Sequence, residues 1–294
     1  MTDTATPPSE APPIETQTPE QRQAPEQRQA PEQRLQTYHE RRELAVTQPQ
    51  GSLALVNTQW VDAEQTIWGV PGRWAPVEGG LKVIAAASEG IVVDGALVDG
   101  EAIARSKKDP NPSTIVFSDT VTGFVIASPE NTYALRVWDA ASEAITAFGS
   151  IDAFGYNPEW VITATFTENP EGTTMGFEHL KDDGAERDEV IPGEITFGKD
   201  GVDYNLAAFK SGRALQLVFA DATNGVDTYS VGRFLFVAPN PDGTITLDFN
   251  LAVLPPCAFS YNFNCPLPPK QNRFGVRIEA GEKNVLTKDG SLLH

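Results

Sequence analysis

The sequence predicts a mainly β protein: antiparallel sheets forming two packed β subdomains, sandwich or barrel-like, behind a disordered N-terminal tail and one short N-terminal helix. Three observations carry this. From Gly51 onward, short β-branched or apolar runs alternate with Gly, Pro, Asp and Asn. Asp94-Gly95, Asp200-Gly201 and Asp242-Gly243 each lie between apolar runs, where a type I′ hairpin turn needs positive φ at both central residues. Many short strands with hairpin signals argue for antiparallel sheets and against a βαβ fold.

Residues 1–31 are rich in Pro, Glu, Gln and Thr, with almost no large apolar side chains. Such a segment cannot bury enough surface to offset its ordering entropy, so a disordered tail is expected. It holds a short repeat: Pro19–Ala24 and Pro25–Ala30 both read PEQRQA, and PEQR recurs at Pro31–Arg34. The repeat is low-complexity sequence, either a linker or a docking segment for a protein partner. Glu32–Leu44 contains good helix formers with no internal Pro or Gly, and Pro31 suits a first turn, so one helix is expected there.

Residues 32–150 are expected to hold that helix and the first β subdomain. Residues 151–294 are expected to hold the second. The join, FGSIDAFGYNPEW, is aromatic enough for the two to pack together. Strands expected in the second include Trp160–Thr167, Thr174–His179, Ala214–Phe219, Arg233–Val237, Thr244–Phe249 and Gly275–Glu279.

The formal net charge is −18, of which residues 1–45 contribute −3. An acidic body repels phosphate backbones and anionic lipids, so neither nucleic acid nor membrane is an expected partner. There is no 18-residue apolar run and no apolar segment suited to a signal peptide at the N-terminus; a cytoplasmic location is the default expectation.

The chemistry-bearing motifs are few. There are three histidines, His39, His179 and His294, and only His179 lies in the β body; no GxSxG elbow and no Gly-rich phosphate loop accompanies it. Cys257 and Cys265 have no further Cys or His near them, so neither zinc nor any other cofactor is expected. A disulfide or a close thiol pair is the leading reading; a bridge closing so short a loop contributes roughly 2.5 kcal/mol in the chain-entropy model.

The richest stretch is Leu247–Lys283, with both cysteines and five prolines. Fixed φ and missing N–H groups make it a rigid loop. Polar residues gather around it: Asp248, Asn250, Asn272, Glu279, Glu282 and Lys283, with Asp227, Tyr229 and Arg233 upstream. Arg233 shares parity with Leu235 and Val237 and so faces inward; a buried Arg needs a partner, and Asp248 across the Asp242-Gly243 hairpin is the natural candidate. That pair either fixes strand register or offers a carboxylate-binding arginine with Tyr229 as donor.

The strings DTYSVGRFLFV, LDFN, PPCAF, NCPLPP and QNRFGVRIEAGEK resemble the DUF1684 family, bacterial and archaeal proteins of uncharacterised function. The match is best over Leu215–Lys283 and weaker upstream through YALRVWD. It departs at Leu254, where the family has Asn, and at Gln271, where it has Glu; Gln271 lacks the charge for acid/base or metal work. The resemblance implies no activity. Some relatives resemble secreted lipoproteins, in which a disulfide would be more at home. The layout around Gly69–Arg73 and Val93–Gly95 is also similar to a forkhead-associated sandwich, without the phosphothreonine-reading Ser-x-x-His pattern.

The expected function is a small-molecule-binding β protein with its ligand, an anion among the candidates, under the proline-cysteine loop. Tyr229, Arg233, Asp248, Asn250, Asn272, Glu282 and Lys283 would supply contacts and Phe249, Phe259 and Tyr261 the walls. One alternative is a hydrolase, with Asp248 or Glu282 as acid or base and Lys283 or Arg233 as electrostatic stabiliser. The other is a structural or interaction module without a pocket.

Overall fold

The computed structural model describes residues 30–294. The tail and its PEQRQA repeats lie almost wholly outside the described residues. The protein is mainly β, and every strand ladder among the described residues is antiparallel. No described helix is long and apolar enough to cross a membrane.

The helix α1 spans Pro31–Val46, with the proline in its first turn as expected. It buries only Leu35 and Val46. Polar contacts therefore carry much of its docking: Tyr38 donates to the Leu251 carbonyl (3.3 Å), Arg42 to Glu282, and Glu43 accepts from the Ile151 N–H (2.9 Å).

Residues 55–139 form two sheets. One has six strands in the order Leu55–Val61, Tyr133–Asp139, Val121–Ala127, Ile115–Val116, Val92–Val93, Ala96–Leu97. The other runs Gln65–Thr66, Arg73–Val77, Gly80–Ala85, Gly100–Arg105. Alternation puts Leu135 and Val137 of the first sheet and Leu81 and Val83 of the second into a common core with Trp74. Asp94 (φ +52°) and Gly95 (φ +82°) both take positive φ, as the I′ turn requires.

The later residues build a four-stranded sheet, Val202–Leu206, Glu186–Lys199, Val161–Glu178, Thr244–Asp248, and a three-stranded one, Ala208–Ser211, Ala214–Phe219, Arg233–Val237. Phe249 is fully buried between them, edge-on to Trp160, Phe219 and Phe274 at 5.8, 5.1 and 5.7 Å between ring centroids. Burying such a ring contributes roughly 1.5–3 kcal/mol. Phe148–Ala153 pairs with Glu282–Thr287, tying the middle of the chain to the end of the motif stretch.

Three expectations change. Trp160–Thr167 and Thr174–His179 are one strand, Val161–Glu178, with a register shift between Glu168 and Thr173. Its partner Glu186–Lys199 contains the strand expected at Ile195–Phe197 and extends it back to an Asp183-Gly184 turn in which both residues have positive φ. Asp242-Gly243 closes a local turn, in which the Asn240 N–H donates to the Thr244 carbonyl (2.8 Å) and Pro239 bridges Ile245, but not a two-residue hairpin between laddered strands. Asp242 keeps negative φ, and the strands on either side belong to different sheets. Pro239 and Pro241 flank the crossing and cannot donate to a ladder. Finally, Gly275–Glu279 is not a strand. Its backbone is held mostly by side chains, because Asp221 accepts from the Ile278 N–H and Arg233 donates to the carbonyls of Ile278 and Ala280, with one backbone bond from the Ala222 N–H to the Val276 carbonyl (3.0 Å).

Candidate functional site

The motif residues assemble around one buried cation. Arg233 opens the strand Arg233–Val237 pointing inward, as its parity indicates, and has no solvent exposure. Its partner is Asp221, not Asp248: Nη2 lies 2.7 Å from Asp221 Oδ2, and both side chains are sealed. Nη2 also donates to the Ile278 carbonyl (2.9 Å), and Nη1 to the carbonyls of Ala280 and Glu282. Phe219 stacks beneath, 5.2 Å from the guanidinium carbon to the ring centroid. Burial lowers the Arg233 pKa, and the Asp221 carboxylate opposes that shift. Asp221 begins an irregular turn, DATNG, whose residues carry no period that would mark an inward face.

Glu282 is equally sealed. Its carboxylate accepts from Arg42 Nε (2.7 Å) and Nη2 (3.2 Å) and from the Leu254 N–H (2.7 Å). Burial acts to lower the Arg42 pKa, but hydrogen bonding and charge from Glu282 hold it above its usual value.

The other expected ligand contacts are also occupied. Asp248 accepts from both the backbone and side-chain nitrogens of Asn250. Asn250 pairs with the backbone N–H and carbonyl of Asn157 (2.7 and 3.0 Å). Asn272, fully buried, accepts from the Ala207 N–H and donates to the carbonyls of Ala207 and Val218, completing two strand edges. Tyr229 donates to the Cys257 carbonyl (3.2 Å), and Lys283 pairs with Asp152 (2.7 Å), away from Arg233.

Cys257 and Cys265 are free, buried thiols. The Cys257 N–H donates to Cys265 Sγ (3.3 Å). The hydrogen bond between the thiols lowers the Cys257 pKa and raises that of Cys265. Alkylation in denaturant without reductant is therefore expected to add two labels per chain; an unlabelled chain two mass units light would reveal a bridge.

The open space lies beside the loop rather than under it. A cleft of about 630 Å3 separates residues 259–262 from the sheet edge near Leu55 and from the helix α2, Glu143–Ala147. Phe259, almost fully buried, forms its floor. Ser260 and Asn262 fix the loop by donating to the Leu55 carbonyl (2.6 and 3.4 Å). Trp68 and Tyr261 stand at the walls, 71% and 60% exposed, and His294 tilts over Tyr261 at 4.3 Å. Asp139 and Glu143 line the cleft, which has no Lys or Arg in its lining. Of these residues only the Phe259 and Tyr261 walls were expected; Trp68, Asp139 and Glu143 come from segments distant in sequence. No group of three or more metal-binding side chains is present among the described residues.

Comparison with known proteins adds a family and no activity. A family model described as a protein of unknown function, DUF1684, matches residues 146–283. The solution NMR structure of an uncharacterised protein of Haloarcula marismortui is 33% identical, over 47% of this chain and 77% of that one, with a TM-score of 0.39. No curated protein matches. On the strength of the family match and of the motif residues that surround Arg233, the chain belongs to the DUF1684 family.

Proposed function

We propose that this protein binds a small molecule in the cleft between Trp68 and Tyr261. The observation that carries the reading is the cleft itself: about 630 Å3, with two exposed aromatic walls, a buried aromatic floor and two carboxylates without a cation. Its volume falls within the roughly 300–1,000 Å3 of small-molecule sites. Aromatic faces beside carboxylates suit a neutral or cationic compound with an apolar face, since the ring quadrupoles and the carboxylates both attract positive charge. The motif residues support this site indirectly. Glu282, sealed in the protein, accepts from the Leu254 N–H, and Tyr229 donates to the Cys257 carbonyl, and these two bonds hold the segment that leads to Phe259 and Tyr261.

A thermal-shift screen of amines and neutral metabolites tests the proposal. A true ligand at 100 times its Kd is expected to stabilise the chain by about 2.7 kcal/mol. Trp68 is exposed, so Trp68→Ala is expected to leave the unliganded midpoint unchanged while abolishing the shift. A screen without a hit, or a shift that survives both Trp68→Ala and Asp139→Asn, defeats the reading.

A further inference from the structure

The strand Tyr133–Asp139 reads YALRVWD, and its two faces differ. Tyr133, Leu135 and Val137 enter the core of the sheets at residues 55–139. Ala134, Arg136 and Trp138 face the other way, the side on which Phe124 and Phe263 pack. Arg136 is flanked in the ladder by Thr58 on one neighbouring strand and Phe124 on the other. Its guanidinium carbon lies 5.2 Å from the centroid of the Phe263 ring.

Three polar atoms belonging to this face are buried without a hydrogen-bond partner: Thr58 Oγ1, Arg136 Nε and Trp138 Nε1. The Arg and Trp groups are pure donors, and the hydroxyl can donate. Among the described residues Arg136 forms no ion pair, unlike Arg42 and Arg233, whose guanidinium groups each hold a carboxylate. A second cation adjoins it. Lys107 is anchored by its N–H to the Val125 carbonyl (2.9 Å), and its pKa is lowered by partial burial and then by Arg136 and Lys108. Lys108 is turned aside onto the carbonyls of Ser128 and Pro129 and onto Asn131. Burial likewise lowers the Arg136 pKa, opposed only by Cys265.

Two cations that act on each other with no ion-pair partner among the described residues are costly in any protein and unexpected in a chain of net charge −18. A set of donors without acceptors is complemented by an acceptor with negative charge. The planar fork of arginine fits two oxygens of a carboxylate or phosphate. We infer that Arg136, Lys107, Thr58 and Trp138 form a receptor for a small oxyanion, a carboxylate or phosphate group on a compound whose body rests against Phe124 and Phe263. This site differs from the cleft proposed above, whose carboxylates would repel such a ligand. The anion expected at Arg233 is thus placed at another arginine, one without a carboxylate partner among the described residues.

The test uses the full chain, with inorganic phosphate and benzoate as separate probes and sodium chloride at matched ionic strength as control. Phosphate, benzoate or both are expected to raise the unfolding midpoint beyond the chloride control, and the one that acts identifies the anionic group. Lys107→Ala, at an exposed position, is expected to fold normally and weaken that probe about tenfold, the loss of one charge-assisted contact. Arg136→Met, which keeps packing over Phe263, is expected to abolish binding without lowering the stability of the free chain. If Arg136→Met fails to fold, Lys107→Ala decides. Neither probe exceeding chloride, or an affinity unchanged in Lys107→Ala, overturns the inference.

Discussion

Arg233→Ala is expected to destabilise the protein by about 3–5 kcal/mol, the usual cost of breaking a buried ion pair by removing one partner. The reason lies in what remains. Asp221 keeps its carboxylate with no solvent exposure, and the carbonyls of Ile278 and Ala280 lose their donor. A loss of that size is a large share of the roughly 5–15 kcal/mol that holds an ordinary domain together. Arg233→Lys is expected to recover only part of it, because one ammonium cannot reproduce a fork that spans a carboxylate and three carbonyls. The diagnostic result is a double-mutant cycle with Asp221→Ala in urea denaturation. Once Arg233 is gone, removing Asp221 is expected to cost far less, giving a coupling of about 2 kcal/mol or more. Single variants that each cost under about 1 kcal/mol, the range of exposed pairs, would contradict this sealed network. The same cycle with Asp248→Ala is expected to show no coupling, since among the described residues the Asp248 side chain bonds to Asn250 and not to Arg233.

That contrast marks the boundary of what the sequence can say. The inward face of Arg233 follows from alternation along RFLFV, a local property, and the structure agrees. Its partner follows from how strands are joined. The Asp242-Gly243 signal suggested adjacent strands, whereas the chain there crosses between sheets through Pro239 and Pro241. With no ladder between the strands on either side of that turn, Asp248 loses its claim, and Asp221 takes the role from a turn without periodicity. The strand expected at Gly275–Glu279 fails for a related reason: its alternating apolar residues are real, but its carbonyls satisfy a guanidinium rather than a neighbouring strand. The cleft is still less legible. It joins Trp68 from a turn, Tyr261 from the motif loop and Glu143 from α2, and no local pattern links the three. Arg136 occupies the alternate position of YALRVWD, which on an open sheet would meet solvent. Only the packing of Phe263 against that face makes its missing partner informative.

Gly281→Ala is expected to cost about 3 kcal/mol, combining the strain of a left-handed backbone with overpacking. Gly281 has φ +81°, and a Cβ there would stand 2.7 Å from the carbonyl oxygens of both Phe249 and Ala252. These are backbone atoms and cannot rotate away. The contact matters because the neighbouring Glu282 N–H donates to that same Ala252 carbonyl (2.9 Å), while the Gly281 carbonyl accepts from Phe154 (3.0 Å). Moving residue 281 outward would therefore draw the Ala280 and Glu282 carbonyls off Arg233 and lift the Glu282 carboxylate from Leu254. Gly290 provides the control. It has nearly the same φ, +82°, but nothing within 4 Å of its added Cβ, so Gly290→Ala is expected to cost only the backbone term, about 1 kcal/mol. Equal losses at the two glycines, measured by urea denaturation, would show that conformation alone governs position 281 and that its approach to the Phe249–Ala252 turn is not needed to hold the Arg233 network in place.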